Sequence, residues 1–184
     1  MLEWNNITHI LLVVVVCLIF TLLATIYIKK IANHIKALDI PDARKVHTKP
    51  MPRLGGLAIF FGFLLGYMLF GEQSIQMNSI LIGSFIIILT GVVDDIKPLN
   101  AKTKLLAQII AACILIFYGN IILDKITAFG LYIELGLLAY PITILFVVGC
   151  INIINLIDGL DGLSNGTCAI FYITIGIINI LKEI

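Results

Sequence analysis

Charge is what this sequence has least of. Asp, Glu, Lys and Arg make up 12% of its 184 residues, where a soluble domain carries about 25%. So little charge fits neither a disordered chain nor an ordinary cytosolic enzyme. The net charge is +1, so no overall field favours nucleic acid or a strongly acidic partner. Cysteine is sparse: Cys17, Cys113, Cys150 and Cys168 each lie inside an apolar run, with no C-x-x-C pair and no His-rich cluster nearby. A disulfide scaffold and a zinc site are disfavoured, and the four read as small hydrophobes. Internal repeats and low-complexity linkers are also missing, so nothing divides residues 1–184 into separate domains.

What is present is apolar surface. Hydrophobic residues make up 60% of the chain, and the mean hydropathy is +1.11. A bilayer core about 30 Å thick takes about 20 predominantly apolar residues as helix. Uncharged runs cover 10–28, 54–71, 75–93, 105–123, 135–157 and 162–181. They are continuous rather than alternating, which predicts helices and not barrel strands. The expected fold is an all-α, polytopic membrane bundle of about six transmembrane helices. The first run follows Glu3 with no Lys or Arg before it, so it reads as a retained anchor rather than a signal peptide. A short hairpin is expected within 124–134.

Basic residues give the orientation. Lys29, Lys30, Lys36, Arg44, Lys45, Lys49 and Arg53 lie between spans one and two, and Lys97, Lys102 and Lys104 between spans three and four. The other side holds only Lys125 and Lys182. This asymmetry predicts that the two basic loops are cytoplasmic and the N-terminus outside.

With that topology the remaining polar residues gather at one membrane face. Asp94-Asp95 ends span three, and Asp158 and Asp161 follow span five. Adjacent carboxylates repel unless a cation lies beside them; Mg²⁺ is one such cation, and Lys97 at a water-facing helix end is the plainer alternative. Asn152, Asn155 and Asp158 recur every three residues, on one helical stripe. Polar groups within a bilayer usually face a bundle interior or a wet cavity, although Asn can also serve as interhelical glue. The loop 41–56 carries Arg44, Lys45, His47, Lys49 and Arg53 among three prolines; it suits an anionic ligand or anionic lipid headgroups. Lys104 and Gln108 are one turn apart. Lys104 either snorkels to the interface or points toward Asp94-Asp95.

The stretches "DIPDARKVHTKPMPRLGGLAIF", "GVVDDIKPLNAKTKLLAQIIAA" and "NIINLIDGLDGLSNG" together resemble the polyprenyl-phosphate N-acetylhexosamine-1-phosphate transferases, glycosyltransferase family 4. "PRLGG" and the Ile157 of "NLIDGLDGL" look more like the undecaprenyl-phosphate GlcNAc-1-phosphate branch than the muramoyl-pentapeptide branch. The family continues through further helices, a later acidic motif and a His-rich loop. The chain is therefore expected to be the N-terminal portion of a longer fold.

The resemblance implies a bacterial plasma-membrane enzyme of cell-envelope polysaccharide synthesis, with its active face cytoplasmic. It would transfer N-acetylhexosamine-1-phosphate from a UDP-N-acetylhexosamine to polyprenyl phosphate, releasing UMP. Mg²⁺, with Mn²⁺ as a substitute, is the expected cofactor. Asp94, Asp95, Asp158 and Asp161 are the expected catalytic acids, with Asp94, Asp95 and Asp158 toward metal. Asn155, Lys104, Arg44, Lys45 and His47 are expected to bind substrate. Homo-oligomerisation is left open. Two other classes compete: a non-catalytic lipid- or nucleotide-sugar-binding protein, and a small transporter. Transport is disfavoured because the acids cluster at one end rather than at mid-membrane.

Overall fold

The computed structural model describes residues 4–39, 50–128, 130–158 and 162–182. Six helices carry the fold: α1 (Trp4–His34), α2 (Gly55–Phe70), α3 (Ile75–Ile96), α4 (Ala101–Phe117), α5 (Ala139–Ile157) and α6 (Leu163–Lys182). Two short antiparallel ribbons join them, β1 (Leu38–Asp39) with β2 (Met51–Pro52), and β3 (Lys125–Ala128) with β4 (Leu131–Glu134). This is an all-α membrane helix bundle, and helices form at all six expected places. The hairpin expected within 124–134 is also present, in the register Lys125↔Glu134 to Ala128↔Leu131.

The lengths of the helices vary, and one boundary differs from the sequence reading. Among the described residues, four stretches are long and apolar enough to cross a bilayer: Thr8–His34, Ile75–Ile96, Gly136–Ile157 and Leu163–Leu181. Helix α2 has 16 residues and α4 has 17, so each is about 25 Å long. In addition, α4 begins at Ala101 and ends at Phe117, whereas the apolar run predicts 105–123. Asn100 moves the start: its side chain accepts the Thr103 N–H at 2.8 Å, a capping contact that begins a helix ahead of the apolar residues. At the other end Gly119 and Asn120 follow, and Asn120 has φ 51°, a left-handed conformation that stops the helix.

Packing explains how the polar end is placed. Helices in lipid gain little from burying apolar surface against each other, so small residues set close approach. On α2, Gly62 and Gly66 face Thr21 and Cys17 of α1. Between α3 and α4, Ser79 packs against Gly119 and Gly83 against Ala111. Thr143 of α5 is buried, donates to Ala139 O and accepts the Leu123 N–H at 2.9 Å, tying the start of α5 to the chain leaving α4. α5 packs on α4, while α2 touches α3 only lightly. Large apolar side chains such as Leu22, Phe85, Leu145 and Phe171 remain exposed, as expected of surfaces facing lipid. The four cysteines are unpaired and half-buried.

Candidate active site

The site grows from the end of the bundle where α1, α3 and α5 finish and α2, α4 and α6 begin. After α1 the chain turns back through Lys36, with φ 59°. The β1–β2 ribbon then pairs Leu38 with Pro52 and Asp39 with Met51. Ala37 and Leu54 are buried with Ile28, Ala32 and Ala58, and Val92 of α3 packs against that cluster. The ribbon is thereby held on a small core, and the Arg53 N–H donates to Ala37 O at 2.9 Å. The Arg53 side chain forms an ion pair with Asp39, and its other terminal nitrogen lies 3.8 Å from an Asp95 oxygen.

Asp94 is held differently from its neighbour. One of its oxygens accepts the Leu99 N–H at 2.9 Å and the other accepts Lys104 Nζ at 2.7 Å. Each acid of the pair thus faces its own cation, Lys104 for Asp94 and Arg53 for Asp95. Lys97 instead ends α3 with its backbone N–H on Val93 O. Of the two readings open for Lys104, the structure takes the one that points it at Asp94.

On α5 the Asn152, Asn155 and Asp158 stripe divides. Asn152 turns to α4, where its Nδ2 donates to Gln108 Oε1 at 2.7 Å and Gln108 Nε2 donates back at 3.4 Å. Asn155 and Asp158 face open space. A cavity of about 710 Å³ is lined by Asp39, Arg53, Asp94, Asp95, Asn155, Asp158, Ser164 and Asn165, among others. A second of about 410 Å³ shares Asp95, Asn155 and Asp158 but is otherwise walled by Leu57, Ile87, Ile88, Val92, Ile151 and Ile154. A third, of about 160 Å³, lies between Asp94, Lys104, Gln108 and Asn155. A polar chamber therefore opens into an apolar groove, with Asn155 on every wall.

Five of the expected site residues come together: Asp94, Asp95, Lys104, Asn155 and Asp158. Arg44, Lys45, His47 and Asp161 lie outside the described residues. Asp39, Ser164 and Asn165 were not anticipated, and Arg53 was expected only as one of the loop's cations. No periodicity links Asp39 to an arginine 14 residues on, because a ribbon turn brings them together. Among the described residues, no group of three His, Cys, Asp or Glu side chains converges as a metal site. Asp94, Asp95 and Asp158 share a cavity wall rather than a point. That donor set, oxygen-only with an amide oxygen from Asn155 nearby, suits a hard cation that takes one or two carboxylates and fills its shell with water and phosphate.

Fold and site define a polytopic membrane protein with a carboxylate-lined chamber at one end of its helices. Residues 77–184 match the family described as Glycosyl transferase family 4, and the chain belongs to that family. It is 42% identical over 175 residues to the "Probable undecaprenyl-phosphate N-acetylglucosaminyl 1-phosphate transferase" of Bacillus subtilis, covering 92% of this chain and 48% of that protein. It is 34% identical over 110 residues to the "Decaprenyl-phosphate N-acetylglucosaminephosphotransferase" of Mycobacterium leprae, covering 55% and 28%. With the "Undecaprenyl-phosphate alpha-N-acetylglucosaminyl 1-phosphate transferase" of Pasteurella multocida it shares 31% identity over 116 residues, covering 63% and 32%. The chain thus spans at most about half the length of these curated relatives. No solved structure matches it at a significant level.

Proposed function

We propose that this chain builds the phosphoryl-transfer site of a bacterial plasma-membrane transferase. The enzyme moves N-acetylglucosamine-1-phosphate from UDP-GlcNAc to polyprenyl phosphate and releases UMP, at the cytoplasmic face. One observation carries the reading: Asp94, Asp95, Asn155, Asp158 and Arg53 line a chamber that runs into an apolar groove. A lipid phosphate needs that combination, because its head is anionic and its tail is hydrocarbon.

In the reaction an oxygen of the acceptor phosphate bonds to the β-phosphorus of the sugar nucleotide. The bond from that phosphorus to the α–β bridging oxygen breaks, and UMP leaves with the electron pair. The second pKa of a phosphate monoester is about 6, so the acceptor is mostly dianionic at neutral pH. Catalysis then rests on positioning and charge neutralisation more than on proton removal. Arg53 and Lys104 supply positive charge beside the two acids, and Arg44, Lys45 and His47 are assigned to the phosphates. Asp95 and Asp158, with Asn155 and Asp94 beside them, would hold Mg²⁺, which supplies neutralisation of the diphosphate when bound. Asp161 is assigned to the nucleotide-sugar.

The test is UMP release by purified protein in detergent with undecaprenyl phosphate, UDP-GlcNAc and Mg²⁺. In protein that also carries the further helices, acidic motif and His-rich loop of the family, turnover should fall about a hundredfold or more in Asp95→Asn and stop when EDTA removes the cation. UMP release that neither Asp95→Asn nor EDTA changes would overturn the assignment.

A further inference from the structure

We propose that the Gln108–Asn152 amide pair is a positioning clamp that sets where α5 presents Asn155 and Asp158 to the acids of α3. It rests on the transferase reading only for the kinetic half of its test. Three observations lead to it. First, α5 is seated on α4 and not on α3: between α3 and α5 lie the cavities walled by Ile87, Thr90 and Gly91 on one side and Ile151 and Asn155 on the other. The placement of Asn155 relative to Asp94 therefore passes through α4. Second, α4 is joined to both neighbours by polar contacts one turn apart. Lys104 reaches Asp94 at 2.7 Å, and Gln108 exchanges hydrogen bonds with Asn152 at 2.7 and 3.4 Å. Third, the pair is held from both sides: Gln108 is buried at 9% exposure, and Asn152, itself exposed, also donates through Nδ2 to Val148 O at 2.8 Å, which fixes its rotamer.

The physical need for such a clamp is plain. The residues of α5 around Asn152 are Ile151, Ile153, Ile154 and Leu156. Apolar side chains of this kind accept sliding against a neighbour in lipid, because no hydrophobic force selects one register. A slip of one turn would move Asn155 by about 5.4 Å along the axis. A paired amide, costly to leave unsatisfied, selects a single register and rotation. Asn155 lies three residues beyond Asn152, and Asp158 three beyond that, so fixing Asn152 fixes both.

Spin labels at Lys97 and Leu156, both exposed, report the α3–α5 distance by double electron–electron resonance in a protein whose four cysteines are replaced. Three variants are compared with the parent: Asn152→Leu, Gln108→Leu/Asn152→Leu, and the swap Gln108→Asn/Asn152→Gln. The double leucine variant leaves no amide unpaired, so it should fold with a near-parental thermal midpoint. Its distance distribution should nevertheless broaden or shift by a few Å, up to about one helical turn of 5.4 Å. The swap carries the same two amides and should restore the parental distribution. In the kinetic arm, kcat should fall about tenfold or more in the leucine variants with KM little changed, and recover in the swap. A folded double leucine variant with the parental distribution overturns the clamp. So does a folded swap whose distribution is as displaced as that of Asn152→Leu. If the parent releases no UMP while the distances respond as stated, the clamp stands and the transferase reading fails instead.

Discussion

Asp94 and Asp95 are neighbours in sequence but not equivalents in the folded chain. Both oxygens of Asp94 are engaged, by Leu99 N–H and Lys104, whereas Asp95 accepts a backbone hydrogen bond from Leu54 and has Arg53 at 3.8 Å. Asp94→Asn should therefore loosen the α3–α4 turn as well as lower activity, whereas Asp95→Asn, which keeps an oxygen for the Leu54 N–H, should lower activity with a smaller drop in thermal midpoint. Thermal unfolding measured beside UMP release separates the two; equal midpoints would refute the distinction. Gly91 offers a second residue-level test. A Cβ added there meets nothing within 4 Å, and the residue lines both cavities between α3 and α5. Gly91→Ala should fold and work, while Gly91→Leu should fold and raise KM for the lipid acceptor several-fold by filling the groove. Kinetics against acceptor concentration decide it.

At the scale of elements, seams of small residues hold the bundle. A methyl added at Gly62 would collide with Thr21 Oγ1, one at Gly66 would lie 2.5 Å from Cys17 Sγ, and one at Gly119 would lie 2.7 Å from Leu115 O and press on Ser79. Each Gly→Ala change at these sites should cost about 1–3 kcal/mol, whereas Gly149→Ala, with open space around it, should cost almost nothing. Detergent-phase thermal melts of the four variants check the ranking.

These seams also mark how far the sequence could be read. Long apolar runs announced all six helices, because continuous uncharged runs of that kind fit few alternatives. The ends were less legible: α4 starts where Asn100 caps Thr103 rather than where its apolar residues begin. At the site, Asp94, Asp95, Lys104, Asn155 and Asp158 stood out because polar groups are rare in so apolar a chain. Asp39 did not. Its role depends on the β1–β2 ribbon laying it beside Arg53, a contact with no periodic trace. Nor does spacing reveal that Asn152 turns to Gln108 while Asn155, on the same stripe, faces a cavity.

For the whole molecule the first question is which way it sits in the membrane. The basic residues predict that Lys97 is cytoplasmic and Lys125 is outside. Cysteine introduced at 125 in intact cells should react with an impermeant maleimide, and cysteine at 97 should react only after lysis. The reverse pattern would invert the topology and with it the proposed cytoplasmic face. α1 and α2 form one packed pair, and α3, α4 and α5 form another packed group. Between α2 and α3 the chain crosses in only four residues, 71–74, at the end remote from the polar chamber. That arrangement has the leverage of a pair of tongs. With α3 about 33 Å long, a tilt of about 5° at this short joint moves the opposite tip by about 3 Å. The Arg53–Asp95 contact and the packing of Val92 on the Leu54–Ala58 core lie toward the tip, so they are what holds the tongs closed.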